Sequence, residues 1–226
     1  FKTIVTAVKE GRTTVHNIRR ILFYLFSTNL GELLTFITAL VLRMPLPLVA
    51  VQILWVNLMT DTTFVIPLGL QPAQDNIMKA KPKSPDAPLL NNSYLLRIGL
   101  VSIAIAILTI SIYRLFEPQG VAYAHTMAFT ALIVSQWANA YNATSFSLSV
   151  FDKDKKRNHL MNRVLLLSII AHLIVIFTPI NTVLQLTAVN LIDLSLVAII
   201  SVSVMLVIVE THKIINRFLY FQPFYK

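Results

Sequence analysis

With 226 residues, of which 56% are hydrophobic and 13% charged, and a mean hydropathy of +0.70, the chain falls outside the range of soluble globular domains. It has no cysteine, which excludes disulfides, thiolate metal sites and a cysteine nucleophile. The net charge of +9 is not a nucleic-acid footprint, because the basic residues fall between the apolar runs rather than in one patch. The chain opens at Phe1 with neither an initiator Met nor a signal peptide, and reads as a piece of something longer.

A bilayer core of about 30 Å requires about 20 apolar residues per helix. Segments of that size run over 21–42, 46–70, 95–116, 124–147, 160–180 and 187–210, the fourth and sixth being the most polar. The predicted fold is therefore an all-α membrane protein with six transmembrane helices. Of the 19 Lys and Arg residues, 17 precede the first span or follow the second, fourth and sixth; only Arg43 and Arg114 lie on the opposite side. Short cytosolic loops carry such an excess, so the protein is expected to be multi-pass with both termini in the cytosol.

Residues 1–20 are helix-compatible apart from Gly11 and enter the first span without a proline. A continuous helix from Phe1 to Leu42 would measure about 60 Å, twice the hydrocarbon thickness. The first helix is thus expected to extend into a cytosolic stalk, acting as a lever, the alternative being an amphipathic segment lying on the lipid surface. Pro45 and Pro47 start the second span, and Pro67 with Gly69 predicts a break in its cytosolic part. Lys79–Pro88, with its prolines, reads as an extended connector, and Lys153–Arg157 as a topology-setting basic loop. The triplets starting at Asn91 and Asn142 read as chance matches to a glycosylation motif.

Glu32 and Asp61 stand inside the first two spans, where a carboxylate costs about 2.5–3.5 kcal/mol on insertion scales. Neither span carries a Lys or Arg at matching depth, which leaves a bound cation or a proton as the neutralising partner. Asn29 lies three residues from Glu32, and Asn57, Thr60 and Asp61 follow the i, i+3, i+4 spacing, so each helix has an oxygen-rich face. Carboxylate, amide and hydroxyl oxygens suit a hard cation such as Ca²⁺ better than Zn²⁺ or Cu⁺. Gln136, on one stripe with Asn139 and Asn142, is either a further ligand or a hydrogen-bonding contact between helices. His172 is expected to be packed and neutral, while Asp193 and Glu210 lie where side chains reach water and are assigned no role.

Several runs resemble the carboxyl-terminal membrane region of calcium-type (type II) P-type ATPases. They are Asn29-Leu30-Gly31-Glu32, Pro45-Leu46-Pro47-Leu48, Gln52 through Asp61, Leu68-Gly69-Leu70-Gln71-Pro72 and Asn76-Ile77-Met78, together with Glu10-Gly11-Arg12 and Asn17-Ile18-Arg19-Arg20. The likeness covers essentially the whole chain and makes the spans equivalent to the last six of ten. It implies an ATP-driven pump with Asn29, Glu32, Asn57, Thr60 and Asp61 as cation ligands. Asn57 with Asp61 resembles the calcium branch, so Ca²⁺ is the implied ion, with Mn²⁺ or Na⁺ as alternatives. A neutral residue at Gln136 resembles branches carrying one Ca²⁺ per cycle, and H⁺ counter-transport is expected when the ion leaves. Thr62 and Phe64 depart from the Gly and Pro that the family carries after its Thr-Asp pair. The Asp-Lys-Thr-Gly phosphorylation motif is absent from these residues, so ATP and Mg²⁺ belong to missing parent domains and the fragment alone should be inactive as an enzyme.

The expected division is a stalk helix (1–20), an ion-site helix pair (21–70), a cytosolic connector (71–94), a four-helix supporting bundle (95–212) and a cytosolic tail (213–226). The expected partners are the lipid bilayer and the missing amino-terminal part, with no nucleic acid. Two other classes fit the same features: a stand-alone secondary cation transporter or channel, and a noncatalytic membrane scaffold. Ion flux through the reconstituted chain would mark the first, and indifference to neutralising Glu32 and Asp61 together would mark the second.

Overall fold

A computed structural model describes residues 1–73, 77–78, 88–146, 148–150 and 158–219, the side chains of 217–219 excepted. Helix α1 runs unbroken over Lys2–Val41, passing through Gly11, whose surroundings are open. At 1.5 Å per residue its 40 residues span about 60 Å. The second span is built from α2 (Ala50–Asn57), a π-helical turn (Leu58–Thr62) and α3 (Thr63–Gly69). It is followed by α4 (Asn92–Phe116), a 3₁₀ turn (Glu117–Gln119), α5 (Val121–Ala143), α6 (His159–Phe177), the short α7 (Ile180–Val183) and α8 (Leu191–Leu219). The described residues contain helices and no strands, in keeping with an all-α membrane protein.

Among the described residues, five helical segments are long and apolar enough to cross a membrane: α1, α2 to α3, α4, α6 and α8. Their outward faces are strongly apolar, as shown by the exposure of Leu54 (71%), Ile107 (62%), Leu167 (66%) and Ile199 (64%). In water such a surface would be an aggregation hazard, whereas in lipid it is the solvated face. Helix α5 has the length of a span without the same apolarity, and the reason is its position. It is the central helix, with 18 of its 23 residues buried against α1, α4 and α8, so it can carry Thr126, Thr130, Ser135, Gln136, Asn139 and Asn142. Phe129, Leu132 and Ile133 anchor it in the main core beside Phe23, Val56, Phe64 and Ile105.

Turn chemistry fixes the ends. After α1 the Met44 amide donates to the Ala39 carbonyl and the Arg43 amide to Leu40, a Schellman closure with Arg43 at φ 51°. After α7 the Leu186 and Gln185 amides close on Asn181 and Thr182 in the same way, with Gln185 at φ 53°. Asn91 caps α4 through the Tyr94 amide and Asn158 caps α6 through the Met161 amide, each at 3.1 Å.

The structure departs from the sequence reading in several places. Pro45 and Pro47 lie in the turn before the second span, which begins at Ala50. That span is not broken at Pro67 and Gly69, for Pro67 lies inside α3 and its carbonyl accepts from Asn158 Nδ2 at 2.7 Å. The irregularity sits one to two turns earlier, in the π turn that contains Asp61. Helix α8 continues through Leu219, so residues 213–219 are helical, and residues 220–226 lie outside the described residues. Residues 79–87 of the connector and the basic loop 153–157 also lie outside them. Asn91 is occupied as a cap, and Asn142 is buried with its amide donating to the Met205 carbonyl at 3.3 Å, so both triplets have structural uses.

Candidate cation site

The stalk and the second span are tied together before the candidate site is reached. Asn17 Nδ2 donates to the Gly69 carbonyl at 2.7 Å and to the Gln71 carbonyl at 3.1 Å, and its Oδ1 accepts from Arg20. Arg12 Nη1 donates to the Ile77 carbonyl at 2.9 Å. These carbonyls lie at and beyond the end of α3, where backbone acceptors have lost their helical donors. The register of α1 against α3 is thereby set about three turns below Asn29.

Helix α1 approaches α4 closely at Gly31. A β-carbon there would meet Ile105 Cβ and Cγ2 at 3.0 Å, so the glycine admits a contact that any larger residue would oppose. The next residue, Glu32, is 6% exposed and points toward α5, where Gln136 Nε2 donates to its Oε1 at 2.7 Å. Gln136 is fully buried and its Oε1 has no partner.

Asp61 lies in the π turn, where five residues of i→i+5 bonding displace the backbone from α-helical register. Asn29 Nδ2 donates to its Oδ2 at 2.8 Å, and the Thr28 hydroxyl, whose nearest acceptor is the Tyr24 carbonyl at 2.9 Å, lies 3.4 Å from its Oδ1. Asp61 is within electrostatic reach of Glu32, yet the carboxylates share no donor: each is held by an amide from another helix. Neither takes part in an ion pair among the described residues. The Thr60 hydroxyl donates to the Val56 carbonyl at 2.8 Å, and Asn57 Oδ1 is buried without a partner.

The structure thus joins Asn29 to Asp61 and Glu32 to Gln136, with Thr60 and Asn57 on the turns adjoining Asp61. Asn139 donates to Ser27 Oγ at 2.7 Å and holds α5 to α1, with its own Oδ1 unpartnered. Among the described residues no group of three or more His, Cys, Asp or Glu side chains could hold a metal, so a cation here would draw most of its ligands from neutral oxygens.

Two residues near the site escaped the sequence reading. Thr28 approaches Asp61, and Tyr24 is fully buried with its hydroxyl beside Thr60, within electrostatic reach of both carboxylates. The signal was the spacing of Tyr24, Thr28 and Glu32, i, i+4 and i+8, which lays the three along one helix face.

The other candidates have structural uses. His172 is buried between the rings of Phe129 and Trp137, its Nε2 3.2 Å from the Thr130 hydroxyl. Asp193 accepts from the Tyr123 hydroxyl at 2.7 Å, and Glu210 pairs with Lys213 at 2.8 Å and caps the Val150 amide at 3.1 Å. Both carboxylates have partners within the chain and stay partly exposed.

Residues 45–215 match the family described as "Cation transporting ATPase, C-terminus". A "Calcium-transporting ATPase" of Bacillus subtilis is 37% identical over 79% of this chain and 20% of its own length. "Calcium-transporting ATPase 1" of Bacillus cereus is 30% identical over 96% of the chain and 26% of its own length. "Calcium-transporting ATPase 2, endoplasmic reticulum-type" of Arabidopsis thaliana is 32% identical over 66% of the chain and 15% of its own length. The chain therefore spans about a quarter or less of the relatives it matches.

Proposed function

Because the chain belongs to the cation-transporting ATPases and corresponds to their carboxyl-terminal membrane region, we propose that it is the transport domain of an ATP-driven pump exporting Ca²⁺ from the cytosol. One ion is carried per cycle, bound by Asn29, Glu32, Asn57, Thr60, Asp61 and Gln136. The observation that carries this reading is the pair of amide caps, Asn29 on Asp61 and Gln136 on Glu32, in place of any Lys or Arg.

An amide cap is reversible in a way that an ion pair is not. Turning the Asn29 or Gln136 amide by half a rotation replaces a donor nitrogen with an acceptor oxygen, at the cost of one hydrogen bond to the carboxylate. A divalent cation entering between the helices would reverse both amides and collect their carbonyl oxygens together with the carboxylates. When it leaves, the nitrogens return and protons supply the remaining neutralisation, which makes H⁺ the counter-ion. The hydroxyl of Thr60 and the carbonyl of Asn57 complete the oxygen set.

The continuous α1 joins this site to the stalk, and its contacts with the end of α3 make the two site helices move together. In this reading residues 1–20 are the lever, 21–70 the ion-site pair and 95–212 the support, with both termini cytosolic. ATP and Mg²⁺ act in the amino-terminal part of the parent. The test is Asp61→Asn in the intact parent. It is expected to abolish Ca²⁺-dependent phosphorylation from ATP, and phosphorylation at the normal level with normal Ca²⁺ dependence would refute the assignment. Competition by Mn²⁺ or Na⁺ in the same assay identifies the ion.

A further inference from the structure

Beside the cation site's central helix, α5, α6 and α8 border a partly open cavity of about 440 Å³. Helix α8 packs closely on α5, whereas α6 leans toward α3 and α7, which leaves a cleft with α5 as its floor. Trp137 and Ala138 form that floor, Leu165 and Ile169 one wall, and Ala198 and Val202 the other. The cleft extends along α8 from Leu194 to Leu206, about 18 Å at 1.5 Å per residue. Leu173 and Val202 at its rim are 39% and 37% exposed, so it opens sideways onto the lipid-facing surface.

Its chemistry excludes an ion or water route. Thr130, Trp137 and His172 contribute to the wall, but the surface facing the cavity is carbon throughout. His172 turns its Nε2 to Thr130. An apolar cavity does not hold water, and left empty it forfeits dispersion contacts along its whole lining. Size then decides between the two apolar occupants available in a bilayer. A helix about 10 Å across and 18 Å long occupies about 1,400 Å³, more than the about 1,060 Å³ of free space here even when the part open to the outside is counted. A cavity of about 150 Å³ accepts the six carbons of benzene, which scales to about 18 carbons in this one.

We propose that this cleft is a binding site for one acyl chain of a bilayer phospholipid, which fills the gap between α6 and α8 and completes the packing around α5. None of the proposed cation ligands lines the cleft, although Gln136 adjoins its floor residue Trp137 in the chain.

The experiment uses the intact parent protein in vesicles of phosphatidylcholine with a photoactivatable diazirine on one acyl chain. Labelling of the α5, α6 and α8 segments lining the cleft should exceed labelling around Ile107, which faces bulk lipid, by at least fivefold. Ala198→Phe should return it to the Ile107 level. In detergent, added phosphatidylcholine should raise the melting temperature of the unsubstituted protein more than that of the filled variant. Equal labelling at the cleft and at Ile107 would overturn the proposal, as would undiminished labelling in a folded Ala198→Phe protein or a cross-link from the cleft to another polypeptide segment. Should Ala198→Phe not fold, Ala138→Leu fills the same floor and is read against the same two outcomes.

Discussion

Gln136 on α5 and Glu32 on α1, 104 residues apart in the chain, meet at 2.7 Å inside the bundle, and the glutamine keeps its second polar atom unpartnered. The contact stabilises an acid that would otherwise be buried alone, and it leaves an acceptor oxygen available beside it. Gln136→Leu removes both features. Leaving a buried acceptor unsatisfied costs about 1–3 kcal/mol, so the melting temperature of the parent should fall. The Ca²⁺ concentration for half-maximal phosphorylation should rise at least tenfold, while Gln136→Glu should retain Ca²⁺ binding. Wild-type Ca²⁺ dependence in the leucine variant would reduce Gln136 to a packing residue.

Gly31 sets the distance between α1 and α4. Adding a methyl group against Ile105 should cost about 1–3 kcal/mol in overpacking, against a gain of about 1 kcal/mol in helix propensity. Gly31→Ala is expected to lower the melting temperature by a few degrees, and Gly31→Val by more. A rise in thermal stability for the alanine variant would mean that Ile105 yields freely.

Arg97 is 1% exposed, with its guanidinium 5.0 Å from the Phe23 ring and 4.9 Å from the Phe146 ring. It donates to the carbonyls of Asn142 at 3.3 Å and Phe146 at 3.5 Å and joins α1, α4 and α5 at one end of the bundle. A flat, weakly hydrated guanidinium suits such a slot, and a compact ammonium does not. Arg97→Lys should therefore destabilise the protein more than Arg97→Met, contrary to ranking by charge. Thermal unfolding of the two variants side by side checks the order, and a lysine variant as stable as wild type would contradict it.

Arg43 occupies a left-handed conformation that costs a non-glycine residue about 1–2 kcal/mol. Its side chain is exposed. Arg43→Gly should therefore raise stability by about 0.5–1 kcal/mol after the entropy of the freer unfolded chain is counted. No change in the melting temperature would mean that the arginine makes a compensating contact.

The helical, membrane-embedded character of the chain was legible from apolar run length alone, because a span must satisfy its own backbone and therefore declares itself locally. The acids were legible for the same reason: Glu32 and Asp61 are costly where they stand. Their partners were harder to read. Spacing placed Asn29 beside Glu32 on one helix, but the structure gives Asn29 to Asp61 and leaves Glu32 to Gln136, since pairing between helices depends on their relative rotation. The π turn was equally hidden. Pro67 is the conspicuous breaker and does deprive the Thr63 carbonyl of its helical donor, yet it lies inside α3, while the irregular turn, Leu58–Thr62, comes earlier and holds neither Gly nor Pro. Residue type shows where a helix is weakened, and tertiary packing decides where it yields.

The π turn also has a consequence for chain length. Five residues there occupy the rise that four would fill in a regular helix, so the second span holds one residue more than its thickness requires. A single added residue in a straight helix would swing everything beyond it by about 100°, turning Phe64 and Leu68 out of the core. Confined to this bulge, the surplus leaves both flanks in register, so shortening the stretch by one position would regularise the helix without unseating its ends.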